Sequence, residues 1–232
     1  MSKKSGTLTL IPTPIALDLP LEPVALQLLL TATQNHPEQS VFVVEDPKPG
    51  RTLWLRSGLP REFVENFSYL NEHNAKESTQ KLLQELRAGK NVFLMSDGGL
   101  PAFCDPGTEL VDYCHREKIA LKLTPFPHSV GGALALSGYQ LNRYHFFGFL
   151  PKEVNDRKNA WREILSFKEP KVIMDTAYRL KRAVEEAQEA NVREIFLCAD
   201  LNGPSEIIFR GSPKELLSRE NLAKLPFIMI IA

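Results

Sequence analysis

The chain has 232 residues, 43% hydrophobic and 24% charged, the make-up of an ordinary globular protein with one large domain or two small ones. Its 28 basic and 28 acidic side chains cancel, which argues against binding driven by bulk attraction to nucleic-acid phosphates and leaves room only for a local basic patch. The longest purely apolar run, Phe227 to Ala232, is too short to span a bilayer. MSKKSG at the start has no apolar stretch behind it and predicts no signal peptide. Cys104, Cys114 and Cys198 form no CxxC and no ligand spacing with His, so the reading is reduced thiols, a cytoplasmic setting and no metal site.

Taken in order, Thr7 to Ile11 alternates as a first strand and stops at Pro12-Thr13-Pro14. Leu21 to Gln34 reads as a helix with Pro23 in its first turn. Val41 to Val44 reads as a strand buried on both faces. It runs into a loop, Glu45 to Arg51, that places two carboxylates where open α/β sheets put ligands. Phe67 to Leu70 is a further strand, closing on Asn71-Glu72-His73-Asn74, and Ala75 to Ala88 is a helix stopped by Gly89. Val92 to Met95 is a buried strand that breaks at Ser96-Asp97-Gly98-Gly99, and a helix begins near Glu109. Two adjacent glycines let main chain approach a ligand closely; an ordinary βα turn uses the same residues, and spacing alone does not separate the two readings. Ile119 to Leu123 is a strand ending at Thr124-Pro125-Phe126-Pro127.

Beyond those prolines, Ser129 to Leu136 (SVGGALAL) is a small-residue helix that Ser129 could cap. Strands follow at Tyr144 to Leu150, Lys171 to Met174, Ile195 to Ala199, Glu206 to Phe209 and Pro226 to Ile231. Helices lie at Asp156 to Phe167, from Leu180 to Ala187 and near Pro213 to Ser218. The fold class is therefore α/β with two α/β domains, 1–124 with a parallel-rich sheet and 125–232 with a mixed one. Loops at strand ends in the two halves could face one another across a cleft.

No Walker loop, G-x-G-x-x-G, G-x-S-x-G or H-E-x-x-H occurs, which removes the common nucleotide, hydrolase and zinc readings. What remains is an ordered set of segments: IPTPI, VVED, NEHN, MSDGGLPAFCDPG, LTPFPHSVGGALALSG, HFFGFLPKE and DTAYRL. Together they resemble the tetrapyrrole methylase family, and within it the ribosomal RNA small subunit methyltransferase I branch, whose segments read roughly PTPIGNL, AEDTR, HEHNE, SDAGTPLISDPG, PLPGACA, GFLP and ESPHRL. The resemblance covers almost the whole chain. Departures are IALDLP for the small-residue IGNL, EDPKPGR for EDTR, and PFPHS, which puts His128 where the family has glycine.

The resemblance implies S-adenosylmethionine held between two α/β domains, usually in a homodimer. By position it implies cofactor contacts at Pro12, Pro14, Asp97, Gly98, Gly99, Leu100, Phe103, Ser129, Val130, Asp175, Asp200, Leu201 and Asn202. An in-line displacement onto a hydroxyl acceptor, such as an rRNA ribose 2′-hydroxyl, would want a base, for which Glu45, Asp46 and His73 are the candidates. Lys48, Arg51 and Asn74 would bind an RNA or small-molecule acceptor. Two other classes stay open: a precorrin-type methyltransferase acting on a tetrapyrrole ring, and a binding module that keeps the fold without the chemistry.

Overall fold

The computed structural model describes residues 5–16, 18–126, 128–140, 142–219, 222 and 224–232. The chain forms two compact units, Met1–Phe126 and Pro127–Ala232. Pro127 itself, read above as part of the junction, lies outside the described residues, as does most of the MSKKSG segment.

In the first unit β1 (Thr7–Ile11), β2 (Ser40–Val44), β3 (Ser68–Tyr69), β4 (Asn91–Met95) and β5 (Ala120–Leu123) form one sheet in the order β3-β2-β4-β1-β5. Every pairing in it is parallel. Four helices cover it: α1 (Pro23–Asn35), α2 (Pro47–Arg56), α3 (Ala75–Arg87) and α4 (Thr108–Arg116). Successive strand residues point to opposite faces. Ile11, Phe42, Val44, Phe93 and Met95 accordingly pack with Leu29 of α1 and Trp54 of α2. Leu8, Val43, Val92 and Leu94 pack with Leu82, Leu83 and Leu86 of α3 and Leu110 of α4 on the other side. Both faces are dry, which is why the strands read as unbroken apolar runs.

The helix after β1 and the helix after β4 lie on opposite faces, yet β1 and β4 are neighbours. Their connections thus leave the sheet in opposite directions and open a crevice at their C-terminal ends, the usual ligand position in such sheets.

One expectation is corrected here. Glu45 to Arg51 is not a loop, because α2 starts at Pro47. Proline is well suited to the first helical positions, where its missing N–H has no intrahelical partner to lose. The following RTLWLR turns Trp54 inward, where it is 1% exposed and its indole N–H donates to Pro60 O at 2.8 Å. The two prolines are thus a start signal rather than a break.

The second unit contains α5 (Ser129–Leu136), β6 (His145–Phe149), α6 (Val154–Ser166), β7 (Lys171–Asp175), α7 (Leu180–Glu189), β8 (Ile195–Ala199), β9 (Ile207–Gly211), α8 (Pro213–Leu217) and β10 (Phe227–Ile231). Its sheet runs β6-β7-β10-β8-β9. Only β6 and β7 pair in parallel; the other three pairings are antiparallel. Trp161 and Ile164 of α6 and Leu180, Ala183, Val184 and Ala187 of α7 close over Ile173, Leu197, Met229 and Ile231. The cap of α5 differs from expectation: His128 holds that place, its Nδ1 accepting the Gly131 N–H at 3.2 Å. The ring must be neutral to accept at Nδ1, and burial holds the His128 pKa below its ordinary value.

Candidate functional site

In the first unit the loops after β1 and β4 are joined by main-chain hydrogen bonds. Thr13 N–H donates to Gly99 O at 2.9 Å, and Gly99 N–H donates to Thr13 O at 3.2 Å. Ser96 Oγ also donates to Gly99 O at 3.0 Å. This two-sided pairing fixes Pro12 and Pro14 beside Asp97, Gly98, Gly99 and Leu100. Gly99 has φ +90°, a conformation that L side chains rarely adopt, and a Cβ built there meets nothing within 4 Å. At Gly98 the nearest atom to a built Cβ is Pro14 O, at 3.8 Å. The main chain is therefore open to a ligand along this stretch.

The second half of the loop is held in an uncommon backbone path. Ala102 and Cys104 have φ of 63° and 61°, and Gly107 has φ of 121°. Phe103 lies within it, its N–H donating to Leu100 O at 3.2 Å. At Gly107 an added Cβ would also lie 2.8 Å from Leu94 Cδ2. Gly107→Ala combines a strained φ with core overlap and is expected to destabilise the first unit by about 2–4 kcal/mol. A thermal melt followed by circular dichroism checks this, and a wild-type melting temperature would refute it.

Carboxylates gather at this edge. Glu45 Oε2 accepts from Asp97 N–H at 3.4 Å, and Asp97 Oδ1 accepts from Asp46 N–H at 3.3 Å. Burial, then the charges of Asp97, Asp46 and Glu72, raise the Glu45 pKa against the opposing hydrogen bond from Asp97. Burial likewise raises Asp97, with the charge of Asp46 adding to it. Asp105 moves furthest: burial first, then the charges of Glu45 and Asp97, push it up to about 7. Asp105 escaped the sequence reading because only folding brings it within electrostatic reach of Glu45 and Asp97. Among the described residues, no group of three His, Cys, Asp or Glu side chains is arranged to hold a metal ion.

The remaining first-unit candidates divide by exposure. Asp46, Lys48, Arg51 and His73 are exposed. Lys48 and Arg51 are three residues apart in the first turns of α2, on one face. Asn74 is engaged in its own turn: Oδ1 accepts from Asn71 N–H at 2.8 Å and Nδ2 donates to Tyr69 O at 3.2 Å. Asn71 in turn reaches Glu45 O, 3.5 Å away. The NEHN segment thus braces the carboxylate edge.

In the second unit, Ser129 and Val130 begin α5, and Val130 is buried. The turn Asp200-Leu201-Asn202 follows β8, with Asp200 and Asn202 at φ of 49° and 64°. Leu201 Cδ2 sits 3.0 Å from the position a Cβ would take on Gly132, so this turn and the start of α5 lie together. Asp175 is different. Its side chain is fully buried and its oxygens face Arg157 Nη1 and Arg179 Nη2, each at 3.0 Å. It holds the turn after β7 in shape.

The sequence profile of the Tetrapyrrole (Corrin/Porphyrin) Methylases matches residues 29–217. The Ribosomal RNA small subunit methyltransferase I of Thermotoga maritima is 28% identical over 219 residues, 92% of this chain and 91% of that protein. The protein of the same name from Halalkalibacterium halodurans is 30% identical over 229 residues, 97% and 75% of the two chains. Among solved structures, a uroporphyrin III C-methyltransferase of Thermus thermophilus shares the fold at TM-score 0.59 and 20% identity, covering 97% of this chain and 96% of that one. Diphthine synthase does so at 0.65 and 14%, covering 97% and 89%. Profile, relatives and fold concur: the chain belongs to the tetrapyrrole methylase family and is, with it, an S-adenosylmethionine-dependent methyltransferase.

Proposed function

We propose that the acceptor is RNA of the small ribosomal subunit, methylated at a hydroxyl by a cytoplasmic homodimer. The observation that carries the reading is the near-full-length likeness to two methyltransferases named for that RNA. The open main chain at Gly98 and Gly99 and the small-residue start of α5 fit a donor recognised mostly through backbone groups. Pro12, Pro14, Asp97 to Leu100 and Phe103 would hold it in the first unit, and Ser129, Val130 and Asp200 to Asn202 in the second. S-adenosylmethionine supplies an electrophilic methyl on a sulfonium.

The chain's own residues do the rest. Lys48 and Arg51 present two exposed cations suited to a phosphate of the acceptor strand. Methyl transfer from a bound donor would form the carbon–oxygen bond, break the donor's carbon–sulfur bond with the thioether leaving, and release the hydroxyl proton, which Asp105, grouped with Glu45 and Asp97 and with a pKa of about 7, would accept. Glu45 serves Asp105 by its charge and the Gly98 loop by its bond to Asp97 N–H. Asp46 joins this chain through its N–H bond to Asp97 Oδ1, and His73, more exposed, joins it only through Asn71.

Tritiated donor, purified protein and small ribosomal subunits from cells lacking the enzyme test the reading. Label in RNA is expected; label only in protein or small molecules, or none, would overturn it. Sedimentation reads the dimer. In the same assay Glu45→Ala and Asp97→Ala are each expected to weaken donor binding about tenfold, since the first breaks the 3.4 Å link from Asp97 N–H and the second the 3.3 Å link from Asp46 N–H. Unchanged donor affinity in both would refute the bracing role.

A further inference from the structure

Tyr178 is 79% exposed, more than any other large hydrophobic side chain described. It stands on a short 3-10 turn, Ala177–Arg179, directly after β7. That turn is tied down from beneath. Arg179 Nη2 pairs with the buried Asp175 at 3.0 Å, Arg179 Nη1 donates to Leu150 O at 2.8 Å, and Thr176 N–H donates to Asp175 Oδ1 at 2.8 Å. Asp175 is itself held by Arg157. A rigid base therefore carries an aromatic ring that packs into no core.

The ring's setting selects a ligand. Lys224 Nζ lies 5.2 Å from its centroid, so a cation accompanies the exposed π face. A protein-contact hot spot sits inside a rim that excludes water; here the adjoining side chain is an exposed lysine. An aromatic face paired with a cation is the platform on which unpaired bases stack beside their phosphates. Topology puts it on a useful rim. Phe227, at the start of β10, pairs with Asp175 on one side and Ala199 on the other, and Asp200 N–H donates to Pro226 O at 2.9 Å. The Tyr178 turn and the Asp200 to Asn202 turn therefore flank the same end of the second unit's sheet.

We infer that Tyr178 and Lys224 form a stacking platform for an unpaired base of the acceptor RNA and a neighbouring phosphate, an inference that rests on the RNA reading above. The test uses a fluorescently labelled, mixed-sequence single-stranded RNA 12-mer as probe, with S-adenosylhomocysteine titrated separately by calorimetry. Tyr178→Ala should weaken RNA binding about tenfold to a hundredfold. Tyr178→Phe should bind as wild type, Tyr178→Leu should not, and donor-product affinity and melting temperature should stay unchanged. Lys224→Gln should reduce the slope of log affinity against log salt by about 1.

Equal RNA binding by wild type and Tyr178→Ala overturns the platform and leaves the RNA reading standing. Loss of S-adenosylhomocysteine affinity with RNA binding intact reassigns the ring to the donor. Dissociation of a dimer with RNA binding intact reassigns it to a protein contact. A wild-type protein that neither binds RNA nor methylates it ends both the RNA reading and the platform.

Discussion

Asp105→Asn is expected to lose about 100-fold in kcat/KM at pH 8 while becoming more stable. The loss follows from removing the group proposed above to take the acceptor's proton, a contribution commonly of 10²- to 10⁴-fold. The pH dependence has a definite sign. Asp105 in the folded protein holds its proton up to about pH 7, whereas an unfolded aspartate loses it near ~3.9. Wild-type kcat/KM should therefore rise with pH through a limb near 7, and the variant should lack that limb. Between those two values the native state binds more protons than the unfolded state, so this group makes stability fall as pH rises, and the effect levels off above 7.

The amide does not ionise and escapes that cost. A gain of about 1–2 kcal/mol at pH 8 is expected, well below what the shift alone implies, because Asp105 is partly open to solvent. Chemical denaturation at pH 5 and pH 8 measures it. A variant with wild-type turnover and the same pH limb would remove Asp105 from the chemistry. Activity held at a cost in stability is common where charges are crowded for function.

Arg157→Ala is expected to destabilise the second unit by about 3–5 kcal/mol, the usual result of leaving buried charges unpaired. Arg157 is 1% exposed. Its Nε faces Glu186 at 2.7 Å and its Nη1 faces Asp175 at 3.0 Å. Trp161 N–H and Arg182 also converge on Glu186. Burial alone would raise the Glu186 pKa, but the bonds from Arg157, Trp161 and Arg182 overturn it and hold the group below its ordinary value. That contribution is present above the unfolded glutamate pKa and is lost as pH falls through the lower folded one.

In a unit of this size the loss should lower the melting temperature by more than about 10 °C. The triple change Arg157→Met, Asp175→Leu and Glu186→Leu should recover part of it, because it removes the three charges together; recovery stays partial because Arg179 and Arg182 lose their carboxylate partners. An Arg157→Ala protein that melts as wild type would show that the network is not structural. Since Asp175 fixes the Tyr178 turn, partial loss of RNA affinity should accompany the melt.

Legibility in the sequence was uneven for physical reasons. The periods of strand and helix are local, so β1, α5 and β8 could be bounded to the residue, and the buried parallel strands showed as unbroken apolar runs. The whole of α2 was missed because proline is a breaker inside a helix and a good first residue at its start, and only the amphipathic run after it tells which applies. Tyr178 lay inside the DTAYRL segment, but nothing there marked its ring as exposed, since exposure is not written in residue type.

The sequence by itself determined the two α/β sheets, the order of their elements, the family and the glycine loop after β4. Each of these rests on short-range pattern or on an ordered set of motifs. Tertiary structure alone decided the pairing of Thr13 with Gly99, the return of Asp105 toward Glu45 and Asp97, and the use of Asp175 as a buried brace. It also decided where each shifted carboxyl sits on the pH scale. Those features depend on groups distant in sequence meeting at low dielectric, where desolvation and charge act over a few ångströms and the chain's own order carries no record of them.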